Sequence, residues 1–146
     1  MDATEWNGPE LVLAIVGAAA SLERAVGGSL SSIKGISLAE FRLLSAIAGA
    51  PAKRASRADI ARAVGLSPSA VTRALRPLEA LGMVETVKNE RDARLAMATL
   101  TEQGEELLSD AIGVLGDILP SLLERAPSVE QNRAELRSML TELARL

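Results

Sequence analysis

Apolar residues recur every three or four positions along most of the chain, and the interruptions mark where its elements change. From Pro9 onward, Leu11, Ile15, Ala18, Leu22, Val26 and Leu30 share one helical stripe, which Gly27 and Gly28 are expected to loosen at its end. Pro9 suits the first turn of that helix, where a missing N–H costs nothing. Ser37 with Glu40 has the spacing of a capping box, and Phe41, Leu44 and Ile47 follow at helical intervals. The stretch GAPAKRAS, residues 49–56, reads as a loop. Ser56 with Asp59 opens a short third helix through Ile60, Ala61 and Val64, which Gly65 stops. A fourth runs from Ser67 to Gly82. MVETV and RLAMATL switch to strand-like composition around the charged KNERDA, which predicts a β-hairpin. Thr101 caps a long helix with Leu107, Leu108, Ile112, Leu115, Leu119 and Leu122 on one stripe, and Pro120 is expected to kink it or mark its last turns. Ser128 with Gln131 reads as a last capping box, before a helix through Leu136, Met139, Leu140 and Leu143. The order is four helices, a hairpin and two helices: a mainly α fold with a small β-hairpin.

Composition removes several functions. The 146 residues suit one domain and include neither Cys nor His. Disulfides, thiol chemistry, the commonest metal ligands and the commonest general base are therefore absent. No Gly-rich phosphate loop or nucleophile elbow compensates, so an enzyme is not expected, and no cofactor or metal site is assigned. The run Leu11–Ala20 is too short for a membrane span before Glu23 and Arg24. Asp2, Glu5 and Glu10 give it the wrong flank for a signal peptide. A buried helix in a cytoplasmic protein, with no membrane partner, is the expectation.

The net charge of −3 changes meaning once it is divided. Between Lys53 and Arg94 stand nine basic and five acidic side chains, a net of +4, leaving −7 for the remainder. A basic centre between acidic flanks fits a lobe that meets nucleic acid within a body that repels it.

That centre has the spacing of a helix-turn-helix. Two steeply crossing helices need a small residue at their contact and a Gly-containing turn, and Ala61 and Gly65 supply them. Ile60, Val64, Leu66, Val71 and Ala74 are the apolar residues expected to hold the pair together. On the second helix Ser67 is the N-cap and Pro68 the first residue. Val71, Leu75 and Leu78 face inward, while Ser69, Thr72, Arg73 and Arg76 form the opposite face. Hydroxyls beside a helix N-terminus take phosphates, and arginine reaches O6 and N7 of guanine in the major groove. Pro77 is expected to bend the helix just past this face. In the hairpin, Lys88, Arg91 and Arg94 make a charged wing able to reach phosphates or the minor groove. Asp92, two residues before Arg94, is placed to orient its guanidinium.

The segments DIARAVGLSPSAVTRALRPLEALGMVE (Asp59–Glu85), DAR (Asp92–Arg94) and LTEQG (Leu100–Gly104) resemble transcriptional regulators of the MarR family, with a likeness running along nearly the whole chain. The resemblance implies a winged helix-turn-helix lobe at about residues 37–100. A helical dimerisation region of a homodimer would comprise about residues 9–33 and 101–146. It implies a repressor that binds a palindromic promoter site in double-stranded DNA and is released by a small ligand held in a cleft between the two regions. Arg73 matches the family's recognition-helix arginine, and Arg94 its wing-tip arginine with partner Asp92. Ala93 departs from the pattern, where a second arginine is frequent, which implies either a weaker wing contact or a greater reliance on Arg91. Family members respond to aromatic acids or phenols, to oxidants through Cys, or to metals. Without Cys or His, a small apolar or aromatic effector is the expectation, its contacts unassigned. The reading set against this one is a winged-helix module for protein contacts with no operator of its own. Long apolar stripes on the outer helices exceed what a small winged-helix core covers, which independently favours an interface.

Overall fold

A computed structural model describes residues 7–88 and 96–145. Helix α1 spans Gly8–Lys34 and begins with a capping box that the sequence pattern did not suggest: Asn7 accepts from the Glu10 N–H at 3.0 Å while the Glu10 carboxylate accepts from Asn7 N–H. Gly27 and Gly28 do not loosen it. The helix runs on for almost two turns and ends at Gly35, whose φ of 68° is the left-handed conformation that a glycine adopts without strain. Helix α2 (Leu38–Ala48) starts with the Ser37–Glu40 box as expected. The anticipated loop at 49–56 instead contains one 3-10 turn, Pro51–Lys53, and a two-residue strand β1, Ala55–Ser56. Helices α3 (Arg57–Val64) and α4 (Pro68–Ala80) follow, then strands β2 (Val84–Lys88) and β3 (Ala96–Leu100). Strand β3 lies centrally, antiparallel to both neighbours, with Ala98 opposite Thr86 on one side and Ala55 on the other. The expected hairpin therefore gains a third strand.

Helix α5 (Glu102–Glu124) is capped by Thr101 and passes through Pro120 without interruption. The final segment differs from its prediction. A short α6 (Pro127–Gln131) already contains Ser128, and Asn132 breaks the chain before α7 (Arg133–Leu143). No side chain caps either helix, so the expected Ser128–Gln131 box is not formed.

One core lies inside the winged-helix lobe: Leu43, Leu44 and Ile47 of α2 meet Ile60 of α3, Val71, Leu75 and Leu78 of α4, Val84 of β2 and Ala98 of β3. A second, smaller cluster joins Leu30 of α1 to Ala111 and Val114 of α5, with Ile36 between the helices. The outer helices are otherwise poorly covered, contrary to the expected burial of the opening run. Leu13 is 71% exposed, and Leu11, Val12, Ile15, Val16 and Leu22 also face outward. By length and composition α1 suffices to cross a bilayer, yet its last third belongs to this second cluster. On α5 the buried line is Gly104, Leu108, Ala111 and Val114, so the predicted leucine stripe is turned partly outward, with Ile112 and Leu119 exposed. Met139, Leu140 and Leu143 of α7 are exposed as well.

The junction between α4, β2 and α5 explains one glycine. Thr101 donates its N–H to the Met83 carbonyl at 3.1 Å and its hydroxyl to the Gly82 carbonyl, while accepting from the Gly104 N–H. This draws the first turn of α5 onto residues 82–83 so closely that a Cβ at Gly104 would overlap the Met83 carbonyl oxygen. Backbone cannot yield as a side-chain tip does. Gly104→Ala is therefore expected to lower the unfolding free energy by about 3 kcal/mol, read as a reduced urea midpoint. An unchanged midpoint would show that α5 docks elsewhere.

Candidate nucleic-acid interface

The first helix of the motif is set by its cap. Ser56 accepts from the Asp59 N–H at 3.1 Å, and its own hydroxyl donates to the Asp59 carboxylate at 2.7 Å. The Ser56 backbone N–H also donates to that carboxylate, at 3.4 Å, which completes a reciprocal capping box at the start of α3. Ile60, Ala61 and Val64 then turn inward, and Gly65, at φ 73°, ends the helix. The N–H groups of Gly65 and Leu66 both donate to the Ala61 carbonyl, at 2.9 and 3.0 Å, which fixes the turn. Arg42 reaches across from α2 and donates to the Val64 carbonyl at 3.0 Å, satisfying an end-of-helix acceptor. Sequence spacing gave no sign of that contact. Leu66, expected to help hold the two helices together, is 45% exposed at the tip of the turn, whereas Ala74 packs against the core. The reversal at Gly65 carries the residue after it outward.

Helix α4 divides its faces as its spacing predicts. Val71, Leu75 and Leu78 are almost wholly buried, while Ser69, Thr72, Arg73 and Arg76 are exposed. Ser67 caps the helix by accepting from the Ala70 N–H at 3.2 Å, and its hydroxyl lies 3.1 Å from that of Ser69. Thr72 donates its hydroxyl to the Pro68 carbonyl at 3.0 Å, which occupies its only donor. Outward it offers a methyl group and lone pairs, not an O–H for a phosphate. Pro77 is exposed within an unbroken helix, just beyond Arg76. Lys88 closes β2, exposed and two steps from Thr86 on the same face of the sheet. The wing residues Arg91, Asp92, Ala93 and Arg94 lie outside the described residues.

Ion pairing redistributes the basic centre. Lys53 pairs with Glu105 at 2.9 Å, Arg62 with Asp59 at 2.7 Å and Arg57 with Glu79 at 2.9 Å. Arg54, Arg73, Arg76 and Lys88 form no ion pair among the described residues, so the unpaired positive charge lies on α4, at the end of β2 and at Arg54 just before β1.

Residues 34–95 match the model of the MarR family, a narrower span than the near-complete likeness expected from the quoted segments. The HTH-type transcriptional regulator YdgJ of Bacillus subtilis (strain 168) is 30% identical over 90 residues, covering 62% of this chain and 54% of its own length. The chain thus spans about half the length of the curated relatives it matches. Among solved structures, the MarR-family regulator Sco3205 of Streptomyces coelicolor in complex with DNA superposes with a TM-score of 0.74 at 23% identity, covering 94% of this chain and 89% of that one. NadR in complex with 4-hydroxyphenylacetate gives 0.77 at 19% identity, covering 100% and 98%. These superpositions extend the likeness of fold, α1 and α5–α7 included, beyond the segment recognised in sequence.

The cap of α3 carries a pH signature. The Ser56 hydroxyl, then the Ser56 backbone N–H and the charge of Arg62, hold the Asp59 carboxyl below its ordinary value of 3.8. A depressed folded value means that the ionised form stabilises the fold above the ordinary carboxylate range. That contribution is lost as pH falls through the range toward the folded value. Urea titrations should therefore show Asp59→Asn less stable than the parent near neutrality, with the gap closing in acid. A gap independent of pH would contradict the charge-based cap.

Proposed function

We propose that the chain, whose residues 34–95 match the MarR family model, is a member of that family: a homodimeric, sequence-specific DNA-binding regulator that represses by occupying a palindromic promoter site. The observation that carries this reading is the division of α4. Its Val71–Leu75–Leu78 face is locked in the core, and its opposite face carries two arginines that no carboxylate among the described residues neutralises. Such a helix enters a major groove with Ser67 and Ser69 near phosphates and Arg73 and Arg76 toward base edges. Lys88, with Arg91 and Arg94 beyond it and Asp92 orienting Arg94, extends the contact along the backbone. The complex of Sco3205 with DNA supports the class of partner, and the reading includes a cytoplasmic location, where such a partner is met.

The second copy is supported by the apolar surface that one chain leaves open on α1, α5 and α7. These helices flank the winged lobe, so a two-fold pairing through them sets two recognition helices about one helical turn of DNA apart. Release by a small apolar or aromatic ligand is supported by the fold-level likeness to NadR, whose structure holds 4-hydroxyphenylacetate. Exposed arginines serve an acidic protein surface as well as DNA, and what weighs against the alternative, a winged-helix module for protein contacts, is the likeness of fold to a regulator in complex with DNA.

Arg73→Ala is expected to weaken binding to the selected duplex by about tenfold to a hundredfold, the loss of one bidentate base contact, with the dimer intact by light scattering. Equal affinity of the two proteins would remove Arg73 from the recognition surface. Leu13→Glu tests the pairing separately. On a free surface such a change alters stability by less than about 0.5 kcal/mol. At a dimer interface it shifts the molecular mass toward the monomer and lowers the thermal midpoint, whereas a parent chain that is already monomeric contradicts the pairing.

A further inference from the structure

Three elements of the lobe meet at one polar junction. The guanidinium Nη2 of Arg57, the first residue of α3, donates to Glu79 Oε1 at 2.9 Å and to Thr86 Oγ1 at 2.8 Å. The Thr86 hydroxyl in turn donates to the same Glu79 oxygen at 2.6 Å. Glu79 stands at the end of α4 and Thr86 at the middle of β2, so a closed triangle of hydrogen bonds joins the support helix, the recognition helix and the wing strand. Among the described residues it is the one ion pair with both side chains less than a third exposed, at 20% and 30%. Glu79 is also the sole acidic residue of α4.

We propose that Arg57, Glu79 and Thr86 form a latch that fixes the direction of the wing against the recognition helix, making them positioning residues for DNA binding. Stability alone is a poor reason for such a cluster. Arg57 Nη1 is buried without a partner, and a partly buried charge pair carrying an unsatisfied donor is readily matched by apolar side chains of similar volume. What apolar contacts do not supply is direction. Thr86 is where β2 leaves the core: Val84, two residues earlier on the same face, is buried, and Lys88, two residues later, is exposed. A hydroxyl held simultaneously by a cation and a carboxylate leaves the strand little freedom to pivot at that point. The cluster also removes Arg57 from the charges available to DNA, although its position in the sequence places it among them.

The consequence for affinity rests on the DNA-binding reading, but the geometry does not, and the test separates them. The chain has no cysteine, so Ala63→Cys on the exposed side of α3 and Lys88→Cys at the end of β2 take two spin labels and nothing else does. Their distance distribution should be narrow in the parent. It should broaden or shift on Thr86→Val, which removes the hydroxyl at constant shape, and return with Thr86→Ser. On unlabelled protein Thr86→Val should weaken binding to a selected duplex by about tenfold, the loss of a hydrogen bond to a charged group, and Thr86→Ser should restore it. An unchanged distribution overturns the latch, as does unchanged affinity beside a broadened one. If the parent binds no duplex while the distribution still responds to Thr86→Val, the latch stands as a structural device and the regulator reading falls.

Discussion

Everything that α4 offers to solvent depends on how firmly its other face is held. Val71, Leu75 and Leu78 are packed among Leu43, Leu44 and Ile47 of α2, Ile60 of α3 and Val84 of β2, with essentially no exposure. Truncating one such leucine typically costs 2–5 kcal/mol, roughly, so the rotation of the helix about its axis is not free. That single constraint turns Ser69, Thr72, Arg73 and Arg76 outward together. The neighbouring devices refine the same placement: Arg42 closes the end of α3, the Ser67 cap sets the start of α4, and the backbone of residues 82–83 receives α5.

Charge follows from the same geometry. A count along the chain locates positive charge in the middle third but treats every cation alike. In the fold, Lys53, Arg57 and Arg62 are matched by Glu105, Glu79 and Asp59; the first two pairs tie elements together, and the third closes within α3. Arg54, Arg73, Arg76 and Lys88 are left on the outer surface. An acidic protein can therefore carry a focused positive surface without being basic overall, and its acidic remainder disfavours contact anywhere else on the duplex.

How much of this was legible in the sequence depended on range. The boxes at Ser37 and Ser56, the Gly65 stop and the two faces of α4 are decided within one or two helical turns, and they stand where spacing places them. The Gly27–Gly28 pair misled because helix propensity is a weak prior: the chain keeps its hydrogen bonds past both and stops only at Gly35. Strand β1 is two residues long and exists only through its pairing with β3, so no local pattern announces it. The Arg57–Glu79–Thr86 cluster joins residues 22 and 29 positions apart, beyond any periodicity. The opening run was expected to be buried because periodicity reports an apolar face and not what covers it, whereas the excess of the outer stripes as a whole pointed to an interface. On α1, α5 and α7 most of that face is open in a single chain.

The central claim is that this fold reads double-stranded DNA as a two-fold pair. Selection from a pool of random duplexes by the purified chain at physiological salt tests it most directly. The account predicts recovery of a palindromic motif with half-sites about one helical turn apart. A pool that emerges without enrichment, or with a single unpaired half-site, would contradict it.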